Sequence, residues 1–252
     1  SYKSSILDIN MLNIVGLGLS LKDISVKGIE AINKSDEVYI ESYTSLSDYT
    51  IKELEEFLKT KIKVLHRSEV EEEKPFFQKD KEITLLIYGD PLSATTHTEI
   101  LQEAKKKNIQ TKIIQSVSIF TAIARTGLQL YKFGKTASIP FWTENHKPES
   151  FFDLLEQNQS IGAHTLFLLD LDPKENKFLS IKEALKIIQE ISKKRNFKLG
   201  KAIGCSRLGL ESEVIKYDSI KNLQNQDFGN APYCIIIPGE LNFSEEDFIA
   251  NY

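Results

Sequence analysis

Cysteine is scarce in this chain. Cys205 and Cys234 are the only two among 252 residues, too few for a disulfide framework or a structural metal cluster. Both lie in apolar, strand-like runs, which reads as buried free thiols in a reducing, cytoplasmic setting, with no metal expected. Long apolar runs are also missing: none approaches the ~20 residues that span a bilayer, and the first residues lack the apolar core of a secretory signal. No excess of positive charge stands out, because Lys and Arg are dispersed and the net charge is −4, so no nucleic-acid footprint is expected. Internal repeats and low-complexity segments are absent as well. What is present is an ordinary globular composition, 41% hydrophobic and 27% charged, long enough for one large domain or two modest ones with cores of their own.

Met11 is the only methionine, and the apolar pattern starts just after it. Residues 1–10 show no period and are read as an extension or as added residues outside the fold. From Leu12 to about Ile114, strand-like runs alternate with helical patterns. The strands are expected at Leu12–Val15, Glu37–Glu41, Ile62–Leu65, Thr84–Tyr88 and Lys112–Gln115. Helices are expected around Ser25–Asn33, after the capping-box pair Thr50 and Glu53, and after the pair Thr96 and Glu99. The charged run Glu69–Lys74 reads as a solvated helix face. Such βα alternation predicts a mostly parallel sheet covered on both faces.

Beyond Gly134 the rhythm changes. Strand-like runs at Thr136–Phe141, Thr165–Leu169, Ala202–Cys205, Glu213–Tyr217 and Tyr233–Ile237 are interrupted by two longer helices. Pro148 is placed at the first helical position of one, and Ser180 with Glu183 caps the other. Ser118 opens a short helix that Gly127 ends. This order predicts a mixed sheet. The fold class is therefore α/β, with an N-terminal α/β domain over 11–117, a C-terminal one over 118–252, and a ligand crevice expected between them.

Residues 85–97 carry the most chemical information. The apolar run breaks at Gly89-Asp90-Pro91, and a helix signal follows within a few residues. A carboxylate and free backbone amides are thereby placed at the carboxyl edge of a sheet, where open α/β sheets bind ligands. Gly16-Leu17-Gly18-Leu19-Ser20 after the first strand, with Glu41 at the end of the second, has the spacing of a dinucleotide fingerprint. Its third glycine is replaced by Leu21, however, so the two glycines imply close backbone approach or positive φ and no nicotinamide cofactor in particular. Ser118-Ile119 and the strand end Leu168-Leu169-Asp170 supply further loop residues for an adenosine-sized ligand.

These tracts resemble the diphthine synthase family, S-adenosylmethionine-dependent methyltransferases of the tetrapyrrole methylase-like class. The likeness runs from Met11 to about Gly239, through Gly16–Leu19, Glu41–Ser45, Gly89–His97, Gly127–Gly134, Phe141-Trp142-Thr143, Pro148–Asp153 and His164–Asp170. The Phe141–Thr143 and Gln129–Lys132 segments are closer to the eukaryotic branch. The resemblance implies S-adenosylmethionine as cofactor, with S-adenosylhomocysteine as product. It implies elongation factor two as protein substrate, methylated on a histidine bearing a 3-amino-3-carboxypropyl arm, and a homodimer. Cofactor contacts carried over by motif fall on Leu19, Asp90, Ser93, Ser118, Ile119, Leu169, Leu208 and Tyr233.

The chain departs from the family in two places: Ser93 stands where glycine is usual, and Tyr233 where histidine is usual. His97 is a candidate for substrate contact or for capping a helix. Lys132 is a candidate for pairing with a substrate carboxylate or for a surface salt bridge. No general base is identified. Two alternatives stay open: a same-class methyltransferase acting on a small molecule, and a non-catalytic module that docks on the elongation factor.

Overall fold

The computed structural model describes residues 10–42, 46–93, 97–173 and 175–252. Outside the described residues lie 1–9 of the N-terminal extension, 43–45 and 94–96 within two of the motifs, including the expected cap Thr96, and residue 174. Internal contacts divide the chain into two compact units, Ser1–Phe120 and Thr121–Tyr252.

In the first unit, strands and helices alternate: β1 (Met11–Gly16), α1 (Val26–Lys34), β2 (Glu37–Glu41), α2 (Ile51–Leu58), β3 (Lys63–Leu65), β4 (Glu82–Ile87), α3 (Thr98–Lys106) and β5 (Gln110–Ile114). The sheet order is β3-β2-β4-β1-β5 and every pairing is parallel. Helical crossovers impose this arrangement and cover both faces. The strand period of two then divides the apolar residues between two cores. Leu12, Ile14, Leu85 and Ile87 pack with Ile100 and Ala104 of α3. Val15, Ile40 and Leu86 pack with Ala31 and Ile32 of α1 and Leu54 and Leu58 of α2.

Local chemistry sets the helix starts. Ser25 Oγ accepts from the Gly28 amide at 3.1 Å, and Thr50 and Glu53 close the expected capping box. α3 starts at Thr98, with His97 in the N-cap position. The run Glu69–Lys74 is not an ordinary solvated helix face. It forms a π-helical turn, Glu69–Glu73, that buries Val70 while Glu71, Glu72 and Glu73 stay exposed.

The unit boundary falls within α4 (Ile119–Ala122), and the 3-10 turn that follows ends at Gly127. The second unit continues with β6 (Ala137–Ile139), α5 (Ser150–Ser160), β7 (Thr165–Leu169), β8 (Leu171–Asp172), β9 (Lys177–Phe178) and α6 (Ile181–Lys194). It ends with β10 (Lys201–Ser206), β11 (Val214–Ser219), α7 (Ile220–Leu223), β12 (Tyr233–Ile237) and α8 (Phe243–Ile249). Its main sheet has the order β11-β10-β12-β7-β6, antiparallel except for β6 with β7, which is the mixed sheet expected. Phe151, Phe152 and Leu155 of α5 and Ile181, Leu185 and Ile188 of α6 bury against Phe167, Leu169, Ile235 and Ile237.

The Ser180–Glu183 capping box is present. Pro148, by contrast, is not the first residue of its helix: α5 begins two residues later, with Glu149 at the N-cap. The β8–β9 hairpin and α8 were not expected. Among the described residues no helix is long and apolar enough to cross a membrane.

Candidate functional site

In the first unit, β4, β1 and β5 are neighbours and run parallel, so their carboxyl ends share one edge. Five of the eight residues singled out in the sequence follow the strands at that edge: Leu19 after β1, Asp90 and Ser93 after β4, Ser118 after β5 and Ile119 at the start of α4. The loops are tied to one another. Gly18 and Gly89 exchange backbone hydrogen bonds, N–H to O at 3.1 and 2.9 Å. Asp90, 5% exposed, accepts at Oδ1 from the Leu92 amide and the Ser93 hydroxyl, both at 3.0 Å. Its Oδ2 accepts from the Ser116 amide at 3.2 Å.

Asp23 completes the lattice. Its Oδ2 accepts from the Leu19 and Ser20 amides at 3.0 and 2.8 Å, and its carbonyl accepts from Ser116 Oγ at 3.1 Å. This residue went unread in the sequence, although Ser20-x-x-Asp23 has capping-box spacing. Ser118 is buried, and its Oγ accepts from the Phe120 amide at 3.2 Å.

The two glycines serve this packing. A Cβ at Gly16 would lie 2.7 Å from the Gly89 carbonyl. One at Gly18, where φ is +75°, would lie 2.2 Å from Asp23 Cβ. Gly89 is different: φ is +72°, but a Cβ there would meet only the Val117 carbonyl, at 3.9 Å. Gly16 and Gly18 are thus packed tight, whereas among the described residues the space beside Gly89 would take a Cβ at ordinary contact distance and forms an opening next to the loops.

Behind this edge, Glu41 at the end of β2 is fully buried and bonds through Oε2 to His97 Nε2 at 2.9 Å. His97 Nδ1 faces the Pro91 carbonyl at 3.2 Å, and the residue is 3% exposed. The ring therefore pins the Asp90-Pro91 turn to β2 and does not cap α3, where no side-chain cap bond forms. Glu41 is equally unavailable for a ribose hydroxyl, which removes the remaining feature of the dinucleotide reading.

In the second unit, register brings Leu169, Tyr233 and Leu208 to one sheet edge. Leu168 pairs with Cys234 and Cys234 with Cys205, so the end of β7, the start of β12 and the end of β10 coincide. Leu169 and Leu208 are buried. The Tyr233 hydroxyl donates to the Gly229 carbonyl at 2.6 Å, while its ring packs on the core. Burial, with Asp227 nearby, raises its pKa. Cys205 and Cys234 are free and buried. Among the described residues no group of three or more His, Cys, Asp or Glu side chains could hold a metal ion.

Lys132 lies elsewhere in this unit. Its Nζ donates to the Glu240 carbonyl at 2.6 Å and to Glu245. Glu245 is fully buried and also takes His164 Nε2 at 3.0 Å and the amides of Gln129 and Asn242 at 2.9 and 3.0 Å. Burial pushes the Glu245 pKa up, but the Lys132 ammonium and the three N–H donors outweigh it and leave the value lowered to about 2. His164 Nδ1 accepts from the Gly239 amide at 2.9 Å, which assigns the neutral Nε2–H tautomer. Burial lowers the His164 pKa in the same sense.

Residues 11–224 match the family model for tetrapyrrole (corrin/porphyrin) methylases. The chain is 43% identical to the diphthine synthase of Methanococcus maripaludis, over 94% of its own length and 96% of the relative's. A crystal structure of a diphthine synthase superposes with a TM-score of 0.86 at 38% identity, covering 96% of this chain and 95% of the other. A provisionally named diphthine synthase from Entamoeba histolytica gives a TM-score of 0.87 at 33% identity, covering 96% and 98%. Identity is higher to the archaeal sequence than to the amoebal structure, so overall identity does not single out the eukaryotic branch expected from Phe141–Thr143. With a family model and full-length relatives in agreement, the chain belongs to the tetrapyrrole methylase family and, within it, to the diphthine synthases.

Proposed function

We propose that this chain methylates elongation factor two, at a histidine carrying an aminocarboxypropyl arm, and that the carboxyl edge of the parallel sheet holds the methyl donor. The activity that family membership gives is S-adenosylmethionine-dependent methyl transfer in diphthamide biosynthesis. The observation that carries the location is the cross-tied loop set with room beside Gly89 among the described residues. When bound, the donor would supply an electrophilic methyl group whose C–S bond breaks as the nucleophile bonds to carbon, the neutral thioether leaving in line. Positioning is therefore much of what the protein must contribute.

The residues at the edge suit that task. Leu19 and Ile119 offer apolar surface for a purine. The Asp90 carboxylate has three of its roughly four acceptor positions filled from within the loops, leaving one for a ribose or ammonium group. The Ser93 hydroxyl is turned toward Asp90, so the departure from glycine strengthens the loop without crowding the opening. Leu169, Leu208 and Tyr233 are proposed as contacts from their motif positions. Substrate contact by His97 and Lys132 has less support, since both side chains are committed within their own units. A homodimer and a cytoplasmic location belong to the same reading.

Calorimetric titration with S-adenosylhomocysteine tests the site. The wild-type chain is expected to bind saturably, and Asp90→Ala to weaken binding about tenfold or more, ~1.4 kcal/mol. Equal affinity of the two proteins would remove Asp90, and with it this edge, from the site.

A further inference from the structure

The chain has four arginines, and three of them are ion-paired: Arg67 with Glu71, Arg125 with Glu213, and Arg195 with Glu149, Asp153 and Glu156. Arg207 is the exception. Among the described residues its guanidinium has no carboxylate partner, and its Nε is sealed from solvent with no hydrogen-bond partner at all. A buried N–H on a permanent cation is a costly group to leave unpaired. Loose placement does not explain the vacancy. Arg207 has φ of +52°, a left-handed conformation disfavoured for a residue with a side chain. Its amide donates to the Pro232 carbonyl at 2.9 Å and its carbonyl accepts from Leu210. The acid in the same loop, Glu213, is already taken by Arg125 and by the Gly209 amide. The backbone is thus fixed on both sides, while the polar end of the side chain is left without an anion.

Its place in the fold indicates what is missing. Arg207 follows the last residue of β10, Ser206, which pairs with Tyr233, and it precedes Leu208. It therefore stands between two residues proposed as donor contacts. The two terminal nitrogens of a guanidinium together form a fork that matches the two oxygens of a carboxylate. We infer that Arg207 is a carboxylate-recognition residue of the active site, the terminal nitrogens of its guanidinium taking the ligand oxygens. The inference rests on the function proposed above. Both the amino-acid end of the donor and the arm of the methyl acceptor carry such a group.

The full-length chain and its Arg207→Gln and Arg207→Lys variants would be titrated with S-adenosylhomocysteine and with 5′-methylthioadenosine, which lacks the amino-acid end. Steady-state methyl transfer to elongation factor two bearing the aminocarboxypropyl arm, and thermal melts, would accompany the titrations. If Arg207 takes the donor carboxylate, Arg207→Gln weakens S-adenosylhomocysteine at least tenfold, leaves methylthioadenosine within twofold, and is partly rescued by lysine. If it takes the acceptor carboxylate, both affinities hold while KM for the acceptor rises at least tenfold with kcat little changed. Equal weakening of both ligands, or no change in any readout, overturns the inference while the proposed function stands. Failure of the wild-type chain to bind either ligand overturns both. Melts of the two variants separate a folding defect from a lost contact.

Discussion

Replacing Glu245 by alanine is expected to destabilise the second unit by about 3–5 kcal/mol, the cost of removing one partner from a buried charged network. The carboxylate joins four groups from separate parts of the chain: Lys132, His164, and the amides of Gln129 and Asn242. Its loss strands the half-buried ammonium and the imidazole N–H, and it leaves the hydrogen bond from Asn242 Nδ2 to Gln129 Oε1 to tie the start of α8 to the Gln129–Lys132 tract. Urea unfolding of the wild-type and variant proteins measures the difference; a loss below about 1 kcal/mol would contradict the role assigned.

The same network sets an acid limb. The folded-state pKa of Glu245 is about 2 against an ordinary 4.5, so its contribution is fully present above pH 4.5 and is lost as pH falls toward 2. His164, lowered from 6.5 by burial, acts with the same sign and begins to subtract stability below pH 6.5. In Glu245→Ala the decline between pH 4.5 and 2 is expected to flatten.

Gly18 and Gly89 share a left-handed backbone but should respond oppositely to substitution. At Gly18 a methyl group collides with Asp23, which holds the Leu19 and Ser20 amides. Gly18→Ala is therefore expected to combine backbone strain with overpacking and to destabilise the first unit by about 2–4 kcal/mol. At Gly89 the methyl meets, among the described residues, only the Val117 carbonyl at 3.9 Å. Gly89→Ala should show little more than the left-handed strain of about 1–2 kcal/mol. Yet it should lower affinity for S-adenosylhomocysteine tenfold or more by occupying the opening. Thermal melts and titrations of both variants distinguish the two effects. If Gly89→Ala binds as tightly as the wild-type chain, the opening is not where the ligand sits.

Local chemistry was largely legible in the sequence. The Ser25, Thr50 and Ser180 caps, the αL stop at Gly127 and the main strand runs all follow from short-range rules. So does the demand of Gly16 and Gly18 for close approach or positive φ. What was missed depends on distance along the chain or on brevity. Glu41 and His97 are 56 residues apart, and Glu245 is 113 from Lys132. Such pairs exist only once sheet register is known, and His97 at a helix start invited the nearer explanation of a cap. The β8–β9 strands are two residues each, too short to show a period. Helix α8 carried a readable Asn242-x-x-Glu245 box, but its seven residues gave no apolar repeat. Arg207 showed nothing in sequence, because an orphaned guanidinium is defined by what the rest of the fold fails to place beside it.

The most direct measurement is transfer of label from S-adenosyl-[methyl-³H]methionine to elongation factor two bearing the aminocarboxypropyl histidine, at donor concentrations below saturation. Enzyme-dependent label in the factor, reduced in Asp90→Ala, is the expected result. Saturable donor binding with no label in the factor above the enzyme-free control would contradict the proposed substrate and turn attention to a small-molecule acceptor or a docking role.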